Sequence, residues 1–281
     1  MKSKIITKIS LFTNPKHFDN LVAQLYLIGT TSFEEKDNSI DLYVKPEEAT
    51  AIIKAVTSNF SSNNLDILIE EIENRNWNEE WQKSIEPIII SDKLVVYPTW
   101  KKEEVKQYRK YIKIQIDPKM AFGTGHNETT QLVLELMLKY LTTKDKYLLD
   151  FGCGTGILAI AGLKMSVEKA IANDIDVDSI DNAVENFKLN KVYNKVKLYQ
   201  NSISDIKEKS FDVICANIIS SVIKENLNLM YVKLKPKGKL FLSGVLREEE
   251  RSLKNHLKKH CFNTIEVIRK SEWIGVYAVK D

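Results

Sequence analysis

The segment Asp150-Phe-Gly152-Cys-Gly154-Thr-Gly156 lies between an apolar run, Tyr147–Phe151, and a helix-forming one, Ile157–Met165. Glycines in that setting let the backbone turn tightly and come close to a ligand at the carboxyl edge of a sheet. Their spacing narrows the choice of ligand. A dinucleotide fingerprint needs glycine where this chain has Ile157, and no Gly-Lys-Ser/Thr follows to make a phosphate loop. Dinucleotides carry an anionic pyrophosphate, whereas S-adenosylmethionine presents an ammonium, a carboxylate and a sulfonium. A carboxylate such as Asp150 beside the glycines suits the second set of charges. Asp174 follows 22 residues after Gly152, the place where an acidic side chain accepts hydrogen bonds from both ribose hydroxyls. Alone it reads as a helix cap, and with the glycine loop it reads as a ribose holder. Asp176 and Asp178 are better placed to start the next helix, and Ile175 can cover an adenine face or pack as a small core contact.

Asn217, in Cys215-Ala-Asn-Ile-Ile219, closes another apolar run. Its amide oxygen can accept a hydrogen bond from an amine nucleophile and aim the nitrogen lone pair at a methyl group; the alternative is a helix N-cap. Upstream, Met120-Ala-Phe122-Gly-Thr-Gly-His126-Asn-Glu-Thr-Thr130 sets two glycines beside an aromatic, which suggests a flexible lid over a bound ligand. His126 reads as an exposed residue without a role. No Ser–His–Asp or Cys–His arrangement and no metal-ligand spacing stands out.

The elements that must position these residues follow from periodicity. Lys4–Phe12 is rich in β-branched residues, and Asn14-Pro15 opens a helix with Phe18, Leu21, Val22, Leu25 and Ile28 on one face, stopped by Gly29. Ser32–Lys36 and Ile40–Val44 flank Asp37-Asn38 as a hairpin, Pro46 opens a second helix with Ala49, Ile52, Ile53 and Val56 inward, and Leu65–Ile69 is a last strand. The order βαββαβ is the ferredoxin-like split βαβ pattern. Residues 1–66 are therefore expected to form a small α+β domain, 67–84 a linker helix with Trp77 and Trp81 on one face, and 85–281 a second domain. Beyond Tyr147 short apolar strands alternate with helices, which implies a doubly wound, mostly parallel α/β sheet. Thr264–Arg269 and Trp273–Val279 have only a turn between them and read as an antiparallel edge pair.

Composition sets the remaining bounds. The 281 residues are 43% hydrophobic and 28% charged, with net charge +3. That excludes collagen-like and disordered chains and argues against a strong nucleic-acid binder; the basic stretch Lys101–Lys119 reads as solvated surface. Cys153, Cys215 and Cys261 are scattered, so no disulfide framework is expected. No run approaches the roughly 20 apolar residues of a membrane helix. A cytoplasmic location is expected.

Taken together, Ala121-Phe-Gly-Thr-Gly-His-Asn-Glu-Thr-Thr130, Asp150–Gly156, Asn173-Asp-Ile-Asp176 and Ala216-Asn-Ile218 resemble the ribosomal protein L11 methyltransferase family. Trp77-Asn-Glu-Glu-Trp81, Tyr97-Pro-Thr-Trp100, Leu234-Lys-Pro-Lys-Gly238 and Glu272-Trp273 extend the resemblance across the chain. It implies a seven-stranded class I methyltransferase sheet, S-adenosyl-L-methionine as cofactor, and a ferredoxin-like domain that recognises ribosomal protein L11. It also implies methylation of lysine side chains and the terminal α-amine. By position, cofactor contacts fall on Thr130, Gly152, Asp174 and Asn217, with Phe122 and Gly154 nearby, and Asn217 orients the amine. Where the family has histidine in the second place after Gly125, this chain has Asn127. The expected form is a monomer needing neither membrane nor nucleic acid nor metal. The competing readings are a nicotinamide-dependent oxidoreductase and a methyltransferase for another protein or nucleic-acid nitrogen. Asn217-Ile-Ile-Ser lacks the Asn-Pro-Pro-Tyr pattern that favours planar acceptors.

Overall fold

A computed structural model describes residues 5–28, 30, 33–36, 39–59, 65–73, 85–117 and 122–281. The chain divides into two compact units, Met1–Ser84 and Ile85–Asp281.

In the first unit, β1 (Ile5–Thr13), α1 (Pro15–Leu27), β2 (Phe33–Glu35), β3 (Ser39–Val44), α2 (Pro46–Asn59) and β4 (Leu65–Glu73) follow in chain order. The antiparallel sheet runs β2-β3-β1-β4, the ferredoxin-like arrangement. The Asn14 side chain accepts the Lys16 N–H to start α1. Leu21, Leu25 and Val56 from the helices meet Ile9, Leu11, Ile40 and Leu42 from the sheet in one core. β4 runs on to Glu73, paired with Ile5 of β1. The strand expected at Leu65–Ile69 is there, and it continues over Glu70–Glu73 in place of the expected linker helix. Leu65 and Ile67 pack against the core, and Lys8 lies opposite Glu70 with the charges 3.6 Å apart, so the sheet supplies partners that outweigh helix propensity. Trp77 and Trp81, like Gly29 and the Asp37-Asn38 turn, lie outside the described residues.

The second unit begins with a small sheet, β5 (Ile88–Ile90), β6 (Leu94–Tyr97) and β7 (Ile112–Gln115). The main sheet uses β8 (Tyr147–Phe151), β9 (Lys169–Asp174), β10 (Val196–Gln200), β11 (Phe211–Asn217), β12 (Leu234–Leu246), β13 (Phe262–Lys270) and β14 (Trp273–Lys280). Its order is β10-β9-β8-β11-β12-β14-β13, parallel through β12, with β14 antiparallel to both neighbours. The helices are α3 (Glu128–Tyr140), α4 (Ile157–Met165), α5 (Val177–Leu189), α6 (Ser220–Lys233) and α7 (Glu250–Lys259). Successive strand residues face opposite layers: Leu148 enters the core that holds Ile160 and Phe187, and Leu149 the one that holds Ile223 and Leu253. Strand order reverses between β8 and β11. That switch point opens a crevice at the carboxyl ends of the strands, where the chain turns out of β8, β9 and β11. Among the described residues no helix is long and apolar enough to cross a membrane.

Candidate active site

The glycine loop leaves β8 and is fastened to β9. Gly152 and Cys153 both donate their N–H to Asn173 O at 2.9 Å. Gly154 donates to Asp174 Oδ2 at 2.9 Å, while Asp176 N–H reaches Asp174 Oδ1 at 3.1 Å. The loop thus fixes the very carboxylate that the sequence marks as ribose holder. Gly154 has φ +51, and a Cβ there would lie 2.3 Å from Phe122 O. Gly152 has φ +69, and its Cβ would meet the Ile218 side chain at 2.4 Å. Only glycine permits both the left-handed backbone and this approach. Ile157, where a dinucleotide site needs its third glycine, is buried in the core.

Asp150 does something other than expected. It is fully buried, accepts the Ala159 N–H at 2.9 Å, and leaves Oδ1 without a partner. Burial, with a further push from the charge of Asp174 and against the pull of the Ala159 N–H, raises its carboxyl to about 8. It does not line the cavity, and its burial favours the protonated form. Asp150 therefore ties the loop to the first turn of α4 and offers no carboxylate to a ligand.

The expected lid is also held more firmly than its glycines suggest. Thr155 donates its N–H to Phe122 O at 3.0 Å and its hydroxyl to Gly123 O at 2.6 Å. Gln131 Nε2 donates to Gly125 O and His126 O. Phe122–Gly125 is thereby sewn onto the glycine loop and α3; Met120 and Ala121 lie outside the described residues. His126 Nε2 pairs with Glu86 O at 3.2 Å and does not line the cavity, whereas Asn127 does.

Asn217 ends β11 and is only 9% exposed. Its Nδ2 donates to Thr130 Oγ1 at 3.1 Å, and its Oδ1 has no partner. The N-cap of α6 is Ile219, so the capping alternative falls away. An unpaired buried carbonyl oxygen costs about 1–3 kcal/mol. Here Thr130, itself fully buried, anchors the nitrogen end of the same amide.

Thr130, Gly152, Asp174, Asn217, Gly154 and Phe122 all line one cavity of about 730 Å³, within the size range of cofactor pockets. Ile175, 77% exposed, stands on the same wall. Asn173 contributes a second buried oxygen, Oδ1, without a partner. The orphaned acceptors, the fixed Asp174 and the cradle closed to any Cβ fit S-adenosylmethionine: a ribose at Asp174, backbone approach at Gly152 and Gly154, and amine or ammonium donors at Asn217.

Sequence reasoning missed the support behind this wall. Asn182 and Asn186 on α5 and Asn190 at its C-cap recur every fourth residue and are all buried. Asn186 Nδ2 donates to Thr155 O at 3.1 Å and its Oδ1 accepts the Asp117 N–H at 3.3 Å. Asn190 exchanges hydrogen bonds with both Gln115 N–H and O. Three asparagines on the inward face of an amphipathic helix were the available signal.

Comparison with known proteins gives a consistent picture. Residues 11–281 match the family ribosomal protein L11 methyltransferase (PrmA). The chain is 30% identical over 274 residues to the ribosomal protein L11 methyltransferase of Bacillus licheniformis, covering 94% of this chain and 88% of that one. The Bacillus subtilis protein of the same name gives the same identity and coverage. Among solved structures, the ribosomal protein L11 methylase from Lactobacillus delbrueckii subsp. bulgaricus superposes with a TM-score of 0.65 at 29% identity, covering 70% of this chain and 100% of that chain.

Proposed function

The chain belongs to the ribosomal protein L11 methyltransferase family, and from that premise we propose that it methylates lysine side-chain and N-terminal amines of ribosomal protein L11. The methyl donor is S-adenosyl-L-methionine. The observation that carries the amine acceptor is Asn217 Oδ1, buried and unpaired on the cavity wall.

When bound, S-adenosylmethionine supplies a methyl group already activated on a sulfonium, which leaves positioning and exclusion of water to the protein. Asp174 has one backbone N–H on each oxygen, and its remaining lone pairs would accept from two ribose hydroxyls. Phe122 and Ile175, which line the same cavity, would cover the cofactor. Asn217 Oδ1 accepts an N–H of the attacking amine, and Thr130 keeps the amide from rotating. A free lysine has a pKa of about 10.4 and must be neutral to attack. The apolar wall of Phe151, Ile218 and Val222 disfavours its ammonium form. The proton passes to bulk water as the amine enters, so no dedicated base is invoked.

The residues lining this cavity run from Phe122 onward, within the second unit. That leaves the ferredoxin-like unit free for recognising L11 in the cytoplasm, as part of the same proposal. Side-by-side calorimetric titration with S-adenosylmethionine and NAD tests the reading. Uptake of the first and none of the second is expected, and uptake of NAD alone would contradict it.

A further inference from the structure

The charges on the cavity wall carry a further step, which rests on the amine-acceptor reading. Among the described residues, the wall holds two carboxylates, Asp174 and Glu128, and no Lys, Arg or His. Such a wall favours cations and repels phosphates and other anions. Asp174 is already committed on both oxygens to the backbone of Gly154 and Asp176. Glu128 opens α3 two residues before Thr130, whose hydroxyl anchors Asn217. The Ser271 hydroxyl donates to Glu128 Oε1 at 2.5 Å, and the second oxygen of a carboxylate can accept further hydrogen bonds. Ser271 sits in the turn beside Trp273, another lining residue. The nearby cation Lys270 donates its Nζ to Gln131. A glutamate in the first turn of a helix also suits the helix dipole, so a purely structural role is the alternative to separate.

We propose that Glu128 is a specificity-determining residue that pairs with the incoming ammonium of the acceptor, selecting lysine and terminal amines over neutral amides and nucleic acid. Burial orders the events. Glu128 is partly exposed and Asn217 is buried, so the ammonium is met at the wet end of the cavity and gives its proton to bulk water as it moves into the dry one.

Steady-state methylation of purified L11 by the full chain tests this, with cofactor affinity measured separately by calorimetry. For Glu128→Gln the KM for L11 is expected to rise roughly tenfold, with kcat and the S-adenosylmethionine Kd each within about threefold. The salt dependence of kcat/KM should flatten in parallel. Glu128→Asp, which keeps the charge, should recover most of the lost KM. Ser271→Ala, which removes only the tether, should stay within about twofold of the wild type. An unchanged KM in Glu128→Gln overturns the inference, as does a weaker cofactor Kd with KM intact, or an equal KM defect in Ser271→Ala. A wild-type protein that methylates nothing on L11 overturns the amine-acceptor reading first and this inference with it.

Discussion

Two side chains in this protein are defined by what they lack. Asn217 presents an oxygen with no partner, held in place by a hydrogen bond at its other end. Replacing it with alanine removes the group that orients the nucleophile while leaving the glycine loop and Asp174 intact. In Asn217→Ala, kcat is expected to fall about a hundredfold, with the cofactor Kd little changed by calorimetry. Loss of affinity matching the loss of turnover would assign Asn217 to cofactor binding. Asp150 lacks a second hydrogen bond and water together. Its carboxyl titrates near 8 in the fold, against about 3.9 in an unfolded chain. Between those values the native state holds a proton that the unfolded state has lost. The stability this contributes is fully present below the unfolded pKa and is lost as pH rises through the folded one. Asp150→Asn lacks that dependence. Its urea midpoint should gain on the wild type from pH 5 to pH 8, by on the order of 1 kcal/mol per pH unit at most. Parallel pH profiles would show that Asp150 is not the titrating group.

At the scale of elements, the glycine loop is the hinge of the site, because β9, α5 and the Phe122–Gly125 segment are all fastened to it. Gly154→Ala adds a carbon 2.3 Å from Phe122 O at a φ of +51. The expected result is a folded protein about 1–3 kcal/mol less stable and at least about tenfold weaker for the cofactor, from displacement of the Thr155–Phe122 contact. Unaltered binding in a calorimetric titration would mean that the contact does not shape the site. The loop, Asp174 and Asn217 were legible in the sequence because each sits where a strand ends, and a strand end shows as a local pattern. The charge state of Asp150 was not legible, since it depends on burial by residues remote in sequence. Nor was the bracing by Asn186 and Asn190, whose partners Gln115, Asp117 and Thr155 are 31 to 75 residues away. Glu70–Glu73 read as helix because propensity is local, while pairing with Ile5–Lys8 of β1 is not.

At the scale of the whole molecule, the proposed function divides two tasks along the chain. The second unit contains both large cores and the residues that line the cavity. The first unit has a core of its own and a sheet face carrying a network of charge around Asp41. Burial opposes the charge on Asp41, but hydrogen bonds from Lys36, Ser10 and Lys8 overcome it and hold the group at about 2. Asp41 therefore keeps its negative charge at neutral pH. We propose that a sulfonium methyl passes, at Asn217, to amines of ribosomal protein L11. Incubating the full chain with radiolabelled S-adenosylmethionine and purified L11, then mapping the label by peptide, tests it most directly. Label on lysine side chains and the N-terminal amine is the expected result. An unlabelled L11, or label confined to glutamine or carboxylate side chains, would contradict it.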